Sequence, residues 1–315
     1  LQSRGHRLKT HSDTETIVHL FEEFGPGCLD HLRGMFGLAI WDNQKRELFI
    51  ARDRLGIKPL YYTETQDHFI FASEVKAILT HPVVRREVDL VALSHYLSLK
   101  YVPAPRTLFA GIRSLQPGYW LRVRDGRIVE SQCYWDLSFQ KGSIGNSARV
   151  SDADYTEELH SLLLETVGIH LRSDVPFGAF LSGGLDSSTI VALMAEQLSA
   201  PVKTFSVGFD GDGMQDELPY AKQVAEAFGC EHHTLKINSH DFLSLAEKVL
   251  WHLDQPIADQ ATIATHMVSK LARQHVKMVL TGEGGDELFA GYARYAGERY
   301  SPYTRWLPES LGSTV

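Results

Sequence analysis

Two stretches of the chain carry residue types suited to phosphate and metal chemistry. The first is Ser182-Gly183-Gly184-Leu185-Asp186-Ser187-Ser188, and the second is Thr281-Gly282-Glu283-Gly284-Gly285-Asp286-Glu287. In the first, Gly183 and Gly184 can take positive φ and let a ligand approach the backbone closely. Ser182, Ser187 and Ser188 add hydroxyl donors, and Asp186 is placed to hold a hard divalent cation between phosphates. In the second, three carboxylates beside a triphosphate are unfavourable unless a cation lies between them. Asp186 and Asp286 together suit Mg²⁺, which takes a few carboxylates plus phosphate oxygens and water. The plain alternatives are a Ser/Gly turn that caps a helix and an acidic loop that is merely solvated. No Gly-x-x-x-x-Gly-Lys-Ser/Thr loop occurs anywhere in the chain.

The elements around both stretches follow from hydrophobic spacing. Phe177 to Leu181 is a short apolar run, as expected of a buried parallel strand, and Ile190, Leu193, Met194 and Leu198 recur at helical spacing after the loop. Strand, small-residue turn and helix present free backbone N–H groups to an anion. Val202–Phe209, Glu231–Ile237 and Val276–Leu280 read as further strands, with helices over 218–229, 241–253 and 265–275. This alternation predicts a doubly wound parallel sheet with ligands at the carboxyl ends of its strands. His232-His233 is predicted to be structural at a strand edge, because no other metal ligand stands at suitable spacing.

The first part of the chain has a different grammar. Ile17, Leu20, Phe21 and Phe24 mark one face of a helix, with Ser12 or Asp13 as N-cap and Glu15 completing a capping box on Ser12. Phe36–Trp41 and Glu47–Arg52 form a hairpin signature, and two more short strands follow at 60–62 and 68–73. Repeated short strands flanked by helices predict an α+β layered domain. The polar, small-residue run Gln140–Val150 reads as a linker. The expected organisation is therefore a first domain over 1–140, a linker over 141–154 and a second domain over 155–315.

Ser-Gly-Gly-Leu-Asp-Ser-Ser at 182–188 resembles the pyrophosphate loop of the N-type ATP pyrophosphatases, which cleave ATP between the α and β phosphates. The run Gly34 to Asp42, then Ala51 to Tyr62, Phe71 to Ala77 and Leu115-Gln116-Pro117-Gly118, resembles the class II glutamine amidotransferase domain of asparagine synthetases. The likeness to that family extends through Ser173–Ser188, Thr204–Phe209 and Val279–Tyr292. It implies a partial N-terminal Ntn-hydrolase-like α+β domain followed by a doubly wound nucleotide-binding domain. It also implies ATP and Mg²⁺ as cofactors, with aspartate and glutamine or ammonia as small-molecule substrates. By resemblance Leu181 and Val207 contact the adenosine, Thr281 and Gly282 line the nucleotide site, and Glu283 helps form an acyl-adenylate. Asp186 and Asp286 bind Mg²⁺, and Asp13 holds the amino group of glutamine.

The chain also departs from the family. Such amidotransferases use an N-terminal cysteine as nucleophile, and Cys28, Cys133 and Cys230 stand in other contexts, each reading as a buried small hydrophobe. Beginning at Leu1 and stopping at Val315, the chain reads as an internal piece of a longer protein, from which glutamine hydrolysis is not expected. Members often carry Asp-Glu-Pro where this chain has Asp254-Gln255-Pro256, which leaves the acceptor open. The implied activity is amide synthesis on an adenylated aspartate. The competitors are an enzyme of the same scaffold with another carboxylate acceptor, and a non-catalytic nucleotide-binding protein.

Hydrophobic content of 43% and charged content of 22% are ordinary for a soluble globular protein. A net charge of −8 supplies no reason for a nucleic-acid partner. No apolar run reaches membrane-spanning length, and three scattered cysteines without a C-x-x-C pair fit a reducing, cytoplasmic setting. Oligomeric state is open, with a homodimer among the options.

Overall fold

The computed structural model describes residues 1–138, 151–209, 216–259 and 261–297. The chain divides into two compact units, Leu1–Ser143 with Leu250–Asp259, and Ile144–Val249 with Gln260–Val315. Residues 140–150, read as the linker, lie outside the described residues.

In the first unit, helix α1 (Asp13–Phe24) precedes strands β1 (Gly37–Asp42), β2 (Glu47–Arg52), β3 (Tyr61–Glu64) and β4 (Phe69–Ala72). Helices α2 (Val75–Ile78) and α3 (Leu90–Leu99) lead to β5 (Ile112–Ser114), β6 (Tyr119–Arg124) and β7 (Arg127–Cys133). The hairpin forms as its spacing predicts, with Asp42 opposite Glu47 and the Asp42 carboxylate accepting from Gln44 and Lys45 N–H in the turn. One antiparallel sheet runs β1-β2-β6-β7 and a second runs β4-β3-β5. Strand β2 is buried on both faces. Phe49 and Ala51 pack with Trp120 against Leu20, Phe21 and Phe24 of α1, while Ile50 packs with Tyr62 of the second sheet and with Leu60 and Leu115, which flank its strands β3 and β5. Helix, sheet and sheet are thus three layers, the α+β arrangement expected.

Local details differ from the spacing in two places. Ser12 caps α1 by accepting from Thr14 N–H at 3.2 Å, but Glu15 does not close the box. Its carboxylate instead takes the N–H groups of Lys9 (2.6 Å) and Thr10 (2.7 Å), and these bonds, led by Lys9, hold its pKa down at about 2. Cys28 is fully buried, and burial pushes its thiol up to about 11, but Cys133 is exposed. The physical reason is its place at the end of β7, an edge strand whose last three residues face outward.

The turn after β2 is organised by its own charges. Asp53 is 1% exposed, and its carboxylate accepts from the N–H groups of Phe36, Leu55, Ile57 and Lys58 at 2.9–3.2 Å. Neighbouring Arg52 donates to the carbonyls of Gly56, Lys58 and Leu115 and to Ser114 Oγ. A segment distant in sequence completes this unit. Asp254, at φ 63, accepts from Val75 N–H (2.6 Å) and Lys76 Nζ (2.8 Å), and Gln255 Oε1 accepts from Leu108 N–H at 2.9 Å.

The second unit opens with α4 (Asp152–His170), then β8 (Phe177–Phe180), α5 (Leu185–Gln197), β9 (Lys203–Phe209), α6 (Leu218–Ala227) and β10 (Glu231–Ile237). Helices α7 (Ser239–Leu253) and α8 (Ala261–Ala272) follow, then β11 (Met278–Leu280) and α9 (Gly285–Phe289). A capping box on Ser151 and Asp154 starts α4, so the boundary placed at 154/155 falls inside its first turn. The sheet is parallel, in the order β10-β9-β8-β11. Val167, Val191, Met194, Ala221 and Ala225, from α4, α5 and α6, form one core with Ala179 and Leu181. Phe205 forms another with Val268, Ala272 and Val276. Helices therefore cover both faces, as the doubly wound reading requires.

The buried Asp53 carboxylate generates a stability prediction. Asp53→Ala leaves four backbone donors without their acceptor, and an unmet buried group costs about 1–3 kcal/mol. The expected loss is at least ~3 kcal/mol, read as a lowered midpoint in denaturant unfolding of the first unit. Asp53→Asn, which keeps one acceptor oxygen, should lose less.

Candidate active site

Strands β8 and β11 pair in parallel, with Phe177, Gly178 and Ala179 opposite Met278, Val279 and Leu280. Their carboxyl ends are therefore side by side, and the two glycine-rich stretches that leave them must meet. In chain order β9 and β10 build outward from one side of β8, and β11 is added on the other. The β8–β11 junction is where the winding reverses, the position where open parallel sheets bind ligands.

Helix α5 starts earlier than its apolar spacing indicates. Gly184, extended at φ −72 and ψ 165, is its N-cap, and Ser188 N–H donates to Gly184 O at 3.0 Å. Asp186, Ser187 and Ser188 thus stand in the first turn, near the positive end of the helix dipole. Ser187 Oγ is within hydrogen-bond distance of Ser182 Oγ (2.9 Å), and Gly184 N–H donates to Ser182 Oγ at 3.2 Å, which closes the loop on itself. Ser188 Oγ is buried without a protein partner. Leu181 N–H donates to Phe205 O at 2.9 Å, continuing the β8–β9 ladder into the loop, and Ser206 Oγ donates to Leu181 O.

Glycines let the loops close on one another. At Gly183, φ +82, a Cβ would meet the backbone of Tyr220 and Ala221 at 2.5–2.6 Å. At Gly282 a Cβ would lie 2.8 Å from Ser187 N, and at Gly285 it would lie 2.5 Å from Asp186 Cγ. The Asp186 carboxylate therefore rests on the second loop, one residue from Asp286. Beside them Tyr292 donates to Glu287 Oε1 at 2.8 Å, a bond that lowers the Glu287 pKa and pushes the Tyr292 hydroxyl up to about 12.

A cavity of about 650 Å³ lies over this junction. Of the residues singled out from sequence, Leu181, Ser182, Gly184, Asp186, Ser187, Val207, Thr281, Gly282, Glu283 and Asp286 line it. Gly183 and Ser188 are not among its lining residues. Asp13 belongs to the first unit, exposed at the start of α1, where its carboxylate accepts from Thr14 N–H at 2.7 Å. Among the described residues the lining holds five carboxylates, Asp186, Glu217, Glu283, Asp286 and Glu287, and no lysine or arginine. Carboxylates in such number repel an anion, and a cation between them would offset that repulsion. The acidic lining and the glycine cradle are a donor set that a nucleotide carried with a divalent cation would fit.

Sequence reasoning missed one wall. Ala261, Ala264, Thr265 and Val268 of α8 line the cavity with Phe205. Their i, i+3, i+4, i+7 spacing was the available signal, hidden because a stripe of small residues is weakly hydrophobic. The histidine pair also has more company than its spacing indicates. His232 Nδ1 lies 2.9 Å from Thr204 Oγ1, and Glu231 and His275 approach His233.

Comparison with known proteins gives the family. Residues 158–314 match the family model described as asparagine synthase, and residues 1–135 match that of the glutamine amidotransferase domain. The chain belongs to the asparagine synthase family. It is 37% identical over 297 residues to asparagine synthetase [glutamine-hydrolyzing] 1 of Bacillus subtilis, covering 94% of this chain and 45% of that protein. It is 35% identical over 308 residues to asparagine synthetase [glutamine-hydrolyzing] 3 of the same organism, covering 93% and 49%. The chain spans about half the length of these curated relatives. Within the family match, Gln255 has a structural account: its side-chain carbonyl accepts from Leu108 N–H, and a glutamate oxygen offers the same acceptor.

Gly183 tests the loop. Gly183→Ala forces a Cβ onto backbone atoms at a left-handed φ, a strain of about 1–3 kcal/mol. The expected outcome is a lower melting temperature together with weakened binding of a fluorescent ATP analogue. Gly184→Ala, whose only close neighbour is Ser182 Oγ at 3.3 Å, should lose much less.

Proposed function

We propose that the protein to which this chain belongs performs ATP-dependent amide synthesis: aspartate is activated as β-aspartyl-AMP with loss of pyrophosphate, and ammonia derived from glutamine converts it to asparagine. The observation that carries this reading is the acidic, glycine-lined cavity at the β8–β11 junction, where the Asp186 carboxylate lies against Gly285.

In this reading the 182–188 loop and the first turn of α5 receive the β and γ phosphates through backbone N–H groups and the Ser182 and Ser187 hydroxyls. Leu181 and Val207 lie on the adenosine side, at the ends of adjacent strands, and Thr281 and Gly282 form the facing wall. Asp186 and Asp286 would hold Mg²⁺, which would supply neutralisation of charge on the departing pyrophosphate. Glu283, exposed beyond Thr281, helps form the acyl-adenylate. Asp13 holds the amino group of glutamine in the first unit. A domain boundary between about 140 and 155 separates the two chemistries. The relatives' names support the acceptor, since both are called glutamine-hydrolysing asparagine synthetases. Among the described residues no helix is long and apolar enough to cross a membrane. The three cysteines are free, in keeping with a cytoplasmic reaction.

The test supplies the full-length protein with ATP, Mg²⁺, aspartate and an ammonium salt, which bypasses the glutamine step. AMP and pyrophosphate should appear only when aspartate is present. Turnover with another carboxylate but not aspartate would replace the acceptor. ATP binding without AMP from any acceptor would overturn the synthetase reading. Asp186→Asn should lower turnover at least ~100-fold with the circular dichroism spectrum unchanged. Unchanged turnover would remove Asp186 from the metal site.

A further inference from the structure

The first unit contains a second constellation of ligating atoms, independent of the nucleotide cavity. The opening segment of the chain and α1 bring together His6, His19 and Glu22. The Nδ1 atoms of His6 and His19 are 3.1 Å apart, His19 Nδ1 lies 2.8 Å from Glu22 Oε2, and His6 Nδ1 lies 3.6 Å from the same oxygen. Helix periodicity accounts for half of this, since His19 and Glu22 are three residues apart on one face of α1. His6 arrives after a single 3₁₀ turn, Gln2–Arg4, and a reversal at Gly5, φ 94.

The far side of each imidazole decides what the near side offers. His6 Nε2 lies 2.8 Å from Glu23 Oε1. An ionised carboxylate only accepts, so His6 carries a proton on Nε2, and in its neutral form Nδ1 is a bare lone pair. Arg4 donates to Glu23 Oε2 at 2.9 Å and keeps that carboxylate ionised and in place. His19 Nδ1 then faces both a bare nitrogen and a carboxylate oxygen, and one N–H can be directed well at only one of them. Its other nitrogen lies 3.9 Å from Glu15 Oε1. With the His19 proton on Nε2 instead, His6 Nδ1, His19 Nδ1 and Glu22 Oε2 are three acceptors that face one another, and one positive centre among them would satisfy all three.

We propose that His6, His19 and Glu22 form a binding site for a divalent transition-metal ion of the zinc class. Ligand atoms bonded at about 2.0–2.1 Å to a tetrahedral ion lie about 3.3–3.4 Å apart. The observed separations of 2.8, 3.1 and 3.6 Å bracket that edge. Two imidazoles and a carboxylate are a donor set that suits zinc. Glu23 behind His6 is the outer carboxylate that fixes tautomer and ring orientation at such sites. The side chains of His6 and His19 are 15% and 21% exposed and that of Glu22 is 56% exposed, so the fourth position opens to water on the Glu22 side. A bound ion would fasten the opening segment to α1. The trio Glu231, His233 and His275 differs: two of its imidazoles stack at 3.9 Å, and Lys203 Nζ lies 3.9 Å from Glu231 Oε2. It serves as the internal control.

The experiment titrates Zn²⁺ alone into the full-length protein after treatment with a chelator, in competition with a chromophoric zinc indicator and with thermal unfolding in parallel. One Zn²⁺ per chain should bind at the site and raise the melting temperature. His19→Gln and Glu22→Gln should each weaken that binding at least ~10-fold, and His233→Gln should leave it unchanged. Glu22 is exposed, so its variant keeps the test valid if His19→Gln fails to fold. Absence of competition with the indicator would overturn the proposal. So would binding that survives Glu22→Gln unchanged, or that disappears with His233→Gln.

Discussion

The parallel pairing of β8 with β11 is the constraint on which the second unit depends. It brings two loops that leave the sheet in the same direction into contact and puts the Asp186 carboxylate against the α-carbon of Gly285. Side chains larger than hydrogen at 282 or 285 would hold the loops apart. Bringing carboxylates together is electrostatically adverse in isolation, and five of them line one cavity. A cation held between them would offset that repulsion.

The first unit is organised by a different compromise. Strand β2 is covered on both faces, so its neighbours must supply an apolar layer above and below. The turn that follows carries adjacent, oppositely charged side chains into the interior. Asp53 and Arg52 are tolerated there because their capacity is spent on backbone groups, four donors on one and three carbonyls on the other. Asp254 repeats the device at longer range by accepting from Val75 N–H and Lys76 Nζ. The segment Leu250–Asp259 lies within the asparagine synthase match by sequence, yet it folds with the first unit.

Much of this was legible in the residues. Glycine-rich loops between an apolar run and a helical stripe singled out 182–188 and 281–287, which the structure brings together, since strand, turn and helix are local patterns of period 2, special φ and period 3.6. The same logic located the β1–β2 hairpin and the alternation of the second unit. Local reasoning erred where two local partners compete. Glu15 could close a box on Ser12 or bind the preceding backbone, and it binds the N–H groups of Lys9 and Thr10. The start of α5 was placed late because its first turn is polar, and polar first turns leave no hydrophobic stripe.

By itself the sequence determined the chemistry available: carboxylates, hydroxyls and glycines at spacings that strand–loop–helix units can present. Tertiary structure decided which of them share a site. Only strand order could show that 182–188 and 281–287 leave neighbouring strands, because pairing partners are not encoded in either strand's own period. The α8 wall, the exposure of Cys133 on an edge strand and the meeting of His6 with His19 have the same origin. Each depends on residues distant along the chain whose approach is set by packing of whole layers, and no local periodicity carries that information.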